Sequence, residues 1–443
     1  MLKKVHPSGV RRRLRPLLAA ALAFSLTACA VQRGYGPDEA PPPGDRAHGP
    51  GEVWSSGLNE NGQLGRESRE MDLSLGPVLG LGGKGRLRNV VAVAAGGRHS
   101  LAVLSDGRVV AWGANDHGQL GDGTRRDSRH PVLVRAPGSG KGHLRGAVAV
   151  AADSDFSMAL LKDGRVVTWG KGDAGQRGIG RKEAPLLPTV VLRPDGRKPL
   201  TDVVQIAADG RTELVLRKDG SVLAWGANDY GMVGDGTRKQ RSLPVRVRGL
   251  NGRRWLSGVS KIAIGGQHGL ALLRDGRGVA WGRNELGQLG NGTRTDSTVP
   301  KPVSGVGGKG ELSGIVAISA AEKHNFALTK NATLVAWGNN TAGQLGDGTL
   351  TLRDTPVNVV GTHGPLLQGV AQVHAGEAHG VAILSDGSAL SWGAGRKGQL
   401  GWGKRLHRSR PGPLITVDGR APSDVMTAAA GERHLLLLMA PQG

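Results

Sequence analysis

From residue 51 onward, short apolar runs recur along the chain, each bounded by glycine and polar residues. One full copy shows the order. Val90–Gly96 is rich in valine and alanine, and Ser100–Ser105 carries Leu101-Ala102-Val103-Leu104. Asp106-Gly107 separates that run from Arg108–Trp112. Gly113–Thr124 is glycine-rich, and Pro131–Arg135 is a last short run. The pattern predicts four strands per copy. Asp-Gly between the second and third predicts a two-residue type I′ hairpin turn. The pair recurs at Asp163-Gly164, Asp219-Gly220, Asp275-Gly276 and Asp386-Gly387, and Asn331-Ala332 departs from it. The apolar runs are nearly continuous rather than alternating, which suits sheets covered on both faces. Small pairs such as Ala94-Ala95, Ala151-Ala152, Ala207-Ala208 and Ala320-Ala321 fit the narrow space beside a central channel.

The period is regular. Aligned on Trp-Gly-x-Asn-x-x-Gly-Gln-Leu-Gly, the first glycine falls at Gly57, Gly113, Gly170, Gly226, Gly282, Gly338 and Gly393, at intervals of 56, 57, 56, 56, 56 and 55 residues. Gly51–Ser56 matches a third strand with Leu75–Leu79 as the fourth, and Thr427–Met439 matches only the first two. The expected fold is all-β: one seven-bladed β-propeller of four-stranded antiparallel blades, closed by pairing of the N- and C-terminal strands. Closure removes the exposed edges of an open array.

Composition refines this. The chain has 74 glycines but only 3 Phe and 2 Tyr, and the glycines recur in register, so they read as turns rather than disorder. The formal charge is +22; residues 1–28 hold six bases and no acid, which leaves +16 for the rest. Those bases are interleaved with acids, as on a solvated surface; a footprint for an anionic partner is the lesser reading.

The N-terminus has a basic stretch to Arg15, a short apolar run through Leu26, and then Leu26-Thr27-Ala28-Cys29. The run is too short to span a bilayer and fits a secretory signal. The last four residues resemble the bacterial lipobox, which implies cleavage before Cys29 and lipid on its thiol. Cys29 is the sole cysteine, so no disulfide can form within the chain. Ala30 rather than Asp at the next position points to the outer membrane of a diderm cell. The expected organisation is a lipoprotein signal peptide over 1–28, a Pro/Gly-rich tether over 29–50, and the propeller over 51–443. The protein is expected to be exported, attached to the cell envelope through lipid at Cys29, and monomeric.

Ala95-Gly96-Gly97-Arg98-His99-Ser100-Leu101-Ala102-Val103 and Trp112-Gly113-Ala114-Asn115-Asp116-His117-Gly118-Gln119-Leu120-Gly121-Asp122-Gly123-Thr124 resemble the repeat of the regulator of chromosome condensation family. The resemblance covers residues 51–443. WD and kelch propellers fit poorly: no Trp-Asp pair occurs, and the period is too long. The family's founding member is an exchange factor for a Ran-type GTPase and binds chromatin. That activity uses a wedge inserted in one blade, whereas no repeat here departs from 56 by more than one residue. The export signal also separates the chain from such GTPases, so exchange activity is not expected. Other members are binding platforms, and a secreted bacterial β-lactamase-inhibitor propeller is similar in compartment and architecture.

Candidate chemistry is sparse. His99, His268, His324, His379 and His434 are equivalent, with Phe156 and Thr212 in two other copies. Metal ligands must converge on one ion, which rotationally related blades prevent; each His is expected to bond backbone in its own blade. Trp112, Trp169, Trp225, Trp281, Trp337 and Trp392 are expected between blades. The Asp-Gly-Thr segments at 122, 235 and 347 read as turns rather than calcium loops. No nucleophile elbow, zinc motif or phosphate loop occurs. No acidic position repeats apart from the turn Asp residues. The expectation is therefore a non-enzyme with no cofactor, metal or nucleic-acid partner.

The two positions before the second motif glycine vary between copies while the framework repeats, as expected of loops that touch a partner. Partner-binding candidates are His117, Tyr230, Leu286, Arg396 and Lys397 from these positions, with Arg254, Trp255 and Trp402, since Trp and Arg are enriched in binding hot spots. The expected partner is a protein at the cell surface or in the periplasm, bound by a scaffold or inhibitor-like module. Anionic envelope polymers and a surface polysaccharide hydrolase or lyase are the alternatives.

Overall fold

The computed structural model describes residues 49–441 apart from 139–140, 183–184 and 363. Cys29, the signal segment and nearly all of the tether lie outside the described residues. The described chain forms seven four-stranded antiparallel sheets. Blade 1 is Val90–Ala95, His99–Leu104, Val109–Gly113 and Ser128–Leu133. Blades 2 to 6 repeat this order, starting at Ala147, Val203, Val259, Ile315 and Val370. Their first strands are innermost, where Ala94, Ala95, Ala151, Ala152, Ala207, Ala208, Ala429 and Ala430 crowd one narrow stretch of the axis. Larger side chains there would collide as strands converge.

Blade 7 takes its inner strands, Val425–Ala430 and His434–Met439, from the C-terminus. Its outer strands, Glu52–Gly57 and Asp72–Pro77, come from the N-terminus. Six pairs join the two ends, from Glu52 with Met439 to Gly57 with His434. The outer strands start earlier than the sequence indicates, at Ser128 rather than Pro131 and at Asp72 rather than Leu75. The cause is a bulge after which pairing resumes at the loop end, as Gly113 with Ser128.

The Asp-Gly turn also differs from expectation. Gly107 N–H donates to Leu104 O at 2.8 Å and Gly107 has φ +79°, while Asp106 is not in the left-handed region. That is a type I turn followed by a left-handed glycine, not a type I′ turn. The Asp106 carboxylate contributes by accepting the Arg108 main-chain N–H.

The motif tryptophans sit between blades as the repeat implies. All six are fully buried. Each indole donates to a main-chain carbonyl of the preceding blade, at Gln63, Gln119, Gln176, Met232, Gln288 and Gln344, over 2.8–3.0 Å. The histidines correct the expectation, because they bridge to the next blade. His99 Nε2 lies 2.8 Å from Ser157 Oγ, and Ser157 Oγ donates to Gln119 O. His268 reaches Asn325 Oδ1 and His434 reaches Ser100 Oγ in the same way. The serines spend their proton on the carbonyl, so Nε2 carries the histidine proton. Burial pushes His99 and His268 down to about 4 and His434 to about 3, so the rings stay neutral. Where Gly380 and Leu435 replace the serine, His324 and His379 have no partner on either ring nitrogen.

Blade 2 is irregular. Its outer strand is only Thr189–Val190, and Arg177 occupies the motif leucine position, fully buried. The guanidinium donates to Gly170 O, Pro185 O, Leu187 O and Thr189 Oγ1, holding the loop together without a carboxylate. Burial lowers its pKa to about 10.

Candidate binding face

In each blade the turn between the first two strands and the loop between the last two emerge at the same end. In blade 1 Gly113 pairs with His99, and Ala114 N–H donates to Arg98 O. Turns and loops from all blades therefore build one face around the channel mouth. The loop fold is set by framework residues. Asn115 Oδ1 accepts Leu120 N–H while its amide donates to the Thr124 and Arg126 carbonyls. Gln119 Oε1 accepts the main-chain N–H of His117. Gln288 and Gln399 hold Leu286 and Lys397 likewise. The backbone at the variable position is fixed by the glutamine, so its side chain is free to differ between blades.

The mouth is a cavity of about 430 Å³ with residues from every blade in its wall. Seven of these are acids, Asp153, Asp155, Asp209, Asp229, Glu322, Glu377 and Glu432, against two bases, Lys171 and Arg211. Asp155 pairs with Arg98 at 3.1 Å, Glu322 with Lys323 at 2.9 Å and Glu377 with Arg433 at 3.9 Å. Among the described residues, Asp153, Asp209 and Glu432 have no cation in ion-pair contact. Burial raises the Asp209 carboxyl well above the usual range, and Asp153, Glu432 and Glu322 raise it further. Glu377 is raised by burial and by Glu432 and Glu322, against Arg433 and Lys323. The carboxylates thus feel one another across the mouth.

This cluster corrects the reading that no acidic position repeats. The second residue before the conserved histidine is Glu322, Glu377 and Glu432 in three consecutive blades. The third before the equivalent position is Asp153 and Asp209 in two others. The signal is split between two neighbouring positions of the aligned repeat, which is why neither reads as a repeated acid. Among the described residues, no group of three His, Cys, Asp or Glu is placed to hold a metal ion.

The sequence-derived candidates do not form one cluster. His117 is on the loop face, its Nε2 3.7 Å from Asp155 Oδ2. Tyr230 is half-buried on Met232 and Ala174, with Arg283 stacked 4.5 Å from its ring. Leu286 and Lys397 are half-buried on their loops and Arg396 is exposed. Arg254 and Trp255 are exposed, but they lie in the connector that leaves blade 3 from the Leu223 end, opposite the Gly226 end where its loop begins. Arg248 stacks on Trp255 at 4.6 Å. Trp402 sits in the blade 6 loop with Arg408 at 4.1 Å and Lys404 at 5.4 Å from its ring. In blades 3 and 5 the residues equivalent to Trp402 and Arg408 form the ion pairs Asp235–Arg241 and Asp347–Arg353. Blade 7 swaps the charges, as Arg66–Asp72.

The RCC1-like domain profile matches residues 48–349, and the regulator of chromosome condensation (RCC1) repeat matches 333–383 and 386–438. The ultraviolet-B receptor UVR8 of Arabidopsis thaliana is 30% identical over 370 residues, covering 83% of this chain and 79% of the receptor. The E3 ubiquitin-protein ligase HERC2 of Homo sapiens is 34% identical over 294 residues, 66% of this chain but only 6% of the ligase. Human WBSCR16 superposes with a TM-score of 0.72 at 22% identity, over 88% of this chain and 100% of that one. Prp20p of Saccharomyces cerevisiae gives 0.69 at 22%, over 89% and 92%. These two likenesses concern the fold. Together, the matched repeats and the seven equivalent blades place this chain in the regulator of chromosome condensation (RCC1) repeat family.

Proposed function

We propose that the chain is a protein-binding scaffold whose loop face receives a partner with a basic segment, seated at the acid-lined mouth. The observation that carries the reading is the gathering of seven acids in that mouth in a chain of net charge +22. A cleft of one sign with low-dielectric walls focuses its field on an opposite charge. The seven loops around it supply variable side chains on a rigid ring, the arrangement that gives specificity. In this reading the protein is exported, anchored through Cys29 in the cell envelope, and meets its partner at the cell surface or in the periplasm. A lysine- and arginine-rich peptide is the first probe. The triple variant Glu322→Gln, Glu377→Gln, Glu432→Gln should weaken its binding at least tenfold, and high salt should do the same to the parent. Equal binding by parent and variant would sink the reading.

A second reading has one observation in its favour. Asp209, whose carboxyl pKa burial raises, shares the mouth wall with Asp153, and a pair of carboxyl groups is what glycoside hydrolysis uses. Turnover of an envelope polysaccharide, lost in Asp209→Asn, would establish an enzyme; a screen of such substrates without turnover favours the scaffold.

A further inference from the structure

The loop and outer strand of blade 6 differ in charge from the rest of the ring. No acid occurs between Asp386 and Asp418. The same stretch holds Arg396, Lys397, Lys404, Arg405, Arg408 and Arg410, and His407. In other blades several equivalent bases are neutralised, Arg241 by Asp235, Arg353 by Asp347 and Arg294 by Asp354. Among the described residues none of the six blade 6 bases makes an ion pair. Arg405 donates to the Arg396 carbonyl and Arg408 to that of Pro413, which spreads the guanidinium groups over the rim without cancelling charge. Burial and the nearby Arg396 hold the His407 pKa down.

The same rim exposes apolar surface. Leu406 is 60% exposed and Leu350 62%, at loop-tip positions where other blades carry Arg125, Arg126, Arg238 and Lys239. Leu350 belongs to the blade 5 loop that lies on the blade 6 outer strand, where Gly348 N–H donates to Ser409 O. Trp402 lies on the same blade 6 loop as Leu406, half-buried and flanked by two bases, with its indole N–H buried and unpartnered.

We propose that this rim docks on an anionic lipid bilayer, with Leu406, Leu350 and Trp402 entering the headgroup layer and the six bases meeting its phosphates. Apolar and aromatic side chains ringed by Lys and Arg suit that interface, whereas a soluble polyanion has no use for protruding leucines. The rim adjoins blade 7, where Gly403 N–H donates to Leu73 O, whereas Gly51 and Glu52 lie at the Met439 end of their strand, away from the loops. The surface is distinct from the acid-lined mouth, and its test is independent of the mouth's partner.

The test is co-sedimentation of the full chain carrying Cys29→Ala with phosphatidylcholine vesicles, with and without phosphatidylglycerol. The leader is common to all variants, so differences report the rim. Arg396→Glu, Lys404→Glu and Arg405→Glu together should lower partition onto the anionic vesicles roughly a hundredfold, and the thermal transition should stay unchanged. Leu350→Ser with Leu406→Ser should lower it several-fold. Equal binding to both vesicle types, or no effect of the charge reversal, overturns the proposal. So does binding that the serine pair leaves intact and that salt or a soluble anionic polysaccharide abolishes, since that marks attachment to a polymer.

Discussion

The Trp112 indole donates to the Gln63 main-chain carbonyl at 2.9 Å, across the seam between blades 7 and 1. The same carbonyl accepts Ser100 Oγ at 2.8 Å, and His434 Nε2 lies 2.9 Å from that hydroxyl. Gln63 comes from the N-terminal part of blade 7 and His434 from the C-terminal part. Trp112 and Ser100 thus fasten blade 1 to both chain ends at once. Trp112→Phe removes one of two donors and leaves a small void. It should cost about 2 kcal/mol in denaturant unfolding, with little change in slope.

Closure by the last strand should dominate stability. Leu435, Leu436, Leu437 and Leu438 are fully or almost fully buried and pair with Val53 to Ser56. At about 1.5–3 kcal/mol for each buried leucine, deleting residues 434–443 removes as much as a domain's whole margin of 5–15 kcal/mol, to order of magnitude. The truncated chain should show no cooperative thermal transition; a sharp one close to that of the intact chain would refute this.

Glu213 occupies the place of Ser100 and Ser157 at the seam between blades 2 and 3, where Phe156 replaces histidine. It is fully buried and both carboxyl oxygens lack a partner. Burial raises its pKa well above the usual value, and Asp153 and Asp209 add to the rise. A folded pKa above the unfolded one means the folded state holds the proton more tightly. Stability is then fully present below the ordinary carboxylate range and lost as pH rises through the folded value. Glu213→Gln should flatten that decline and stabilise the protein at neutral and alkaline pH by about 1–3 kcal/mol. Matching pH–stability curves for parent and variant would exclude Glu213 as the cause.

Ala332 has φ +56° in the turn where five other blades have a left-handed glycine. Its N–H already donates to Thr329 O, so the hydrogen bond does not depend on the side chain. Ala332→Gly should raise stability by about 0.5–1 kcal/mol, the relief of left-handed strain less the added chain entropy. Thermal unfolding measures it directly.

What the sequence disclosed follows from what each feature requires. Six of the seven seams are fastened by an indole donor at one register position, with Ser56 in its place in blade 7, so Trp112 and its equivalents repeat and the ring can be counted. The mouth needs only net charge at a place where turns converge. Blades 2 and 3 meet that need with Asp153 and Asp209, and blades 5 to 7 with glutamates one position later, so the signal is split between two neighbouring columns and fills neither. The histidine contacts were hidden for a related reason: a partner in the next blade, such as Ser157 for His99, is about one period away. Arg177 was visible as a departure from leucine. Its role emerges only with the carbonyls of the blade 2 loop, which runs further before its outer strand begins at Thr189.

Blade 7 also sets the order in which the protein can be finished. The strand Glu52–Gly57 is among the first to be synthesised, and its inner partner ends at Met439. Nearly the entire chain must be made before that edge is covered. At roughly 5–20 residues per second the wait is on the order of 20 to 80 s. During it the nascent chain holds an unpaired strand, with Val53 exposed, that any other edge can capture.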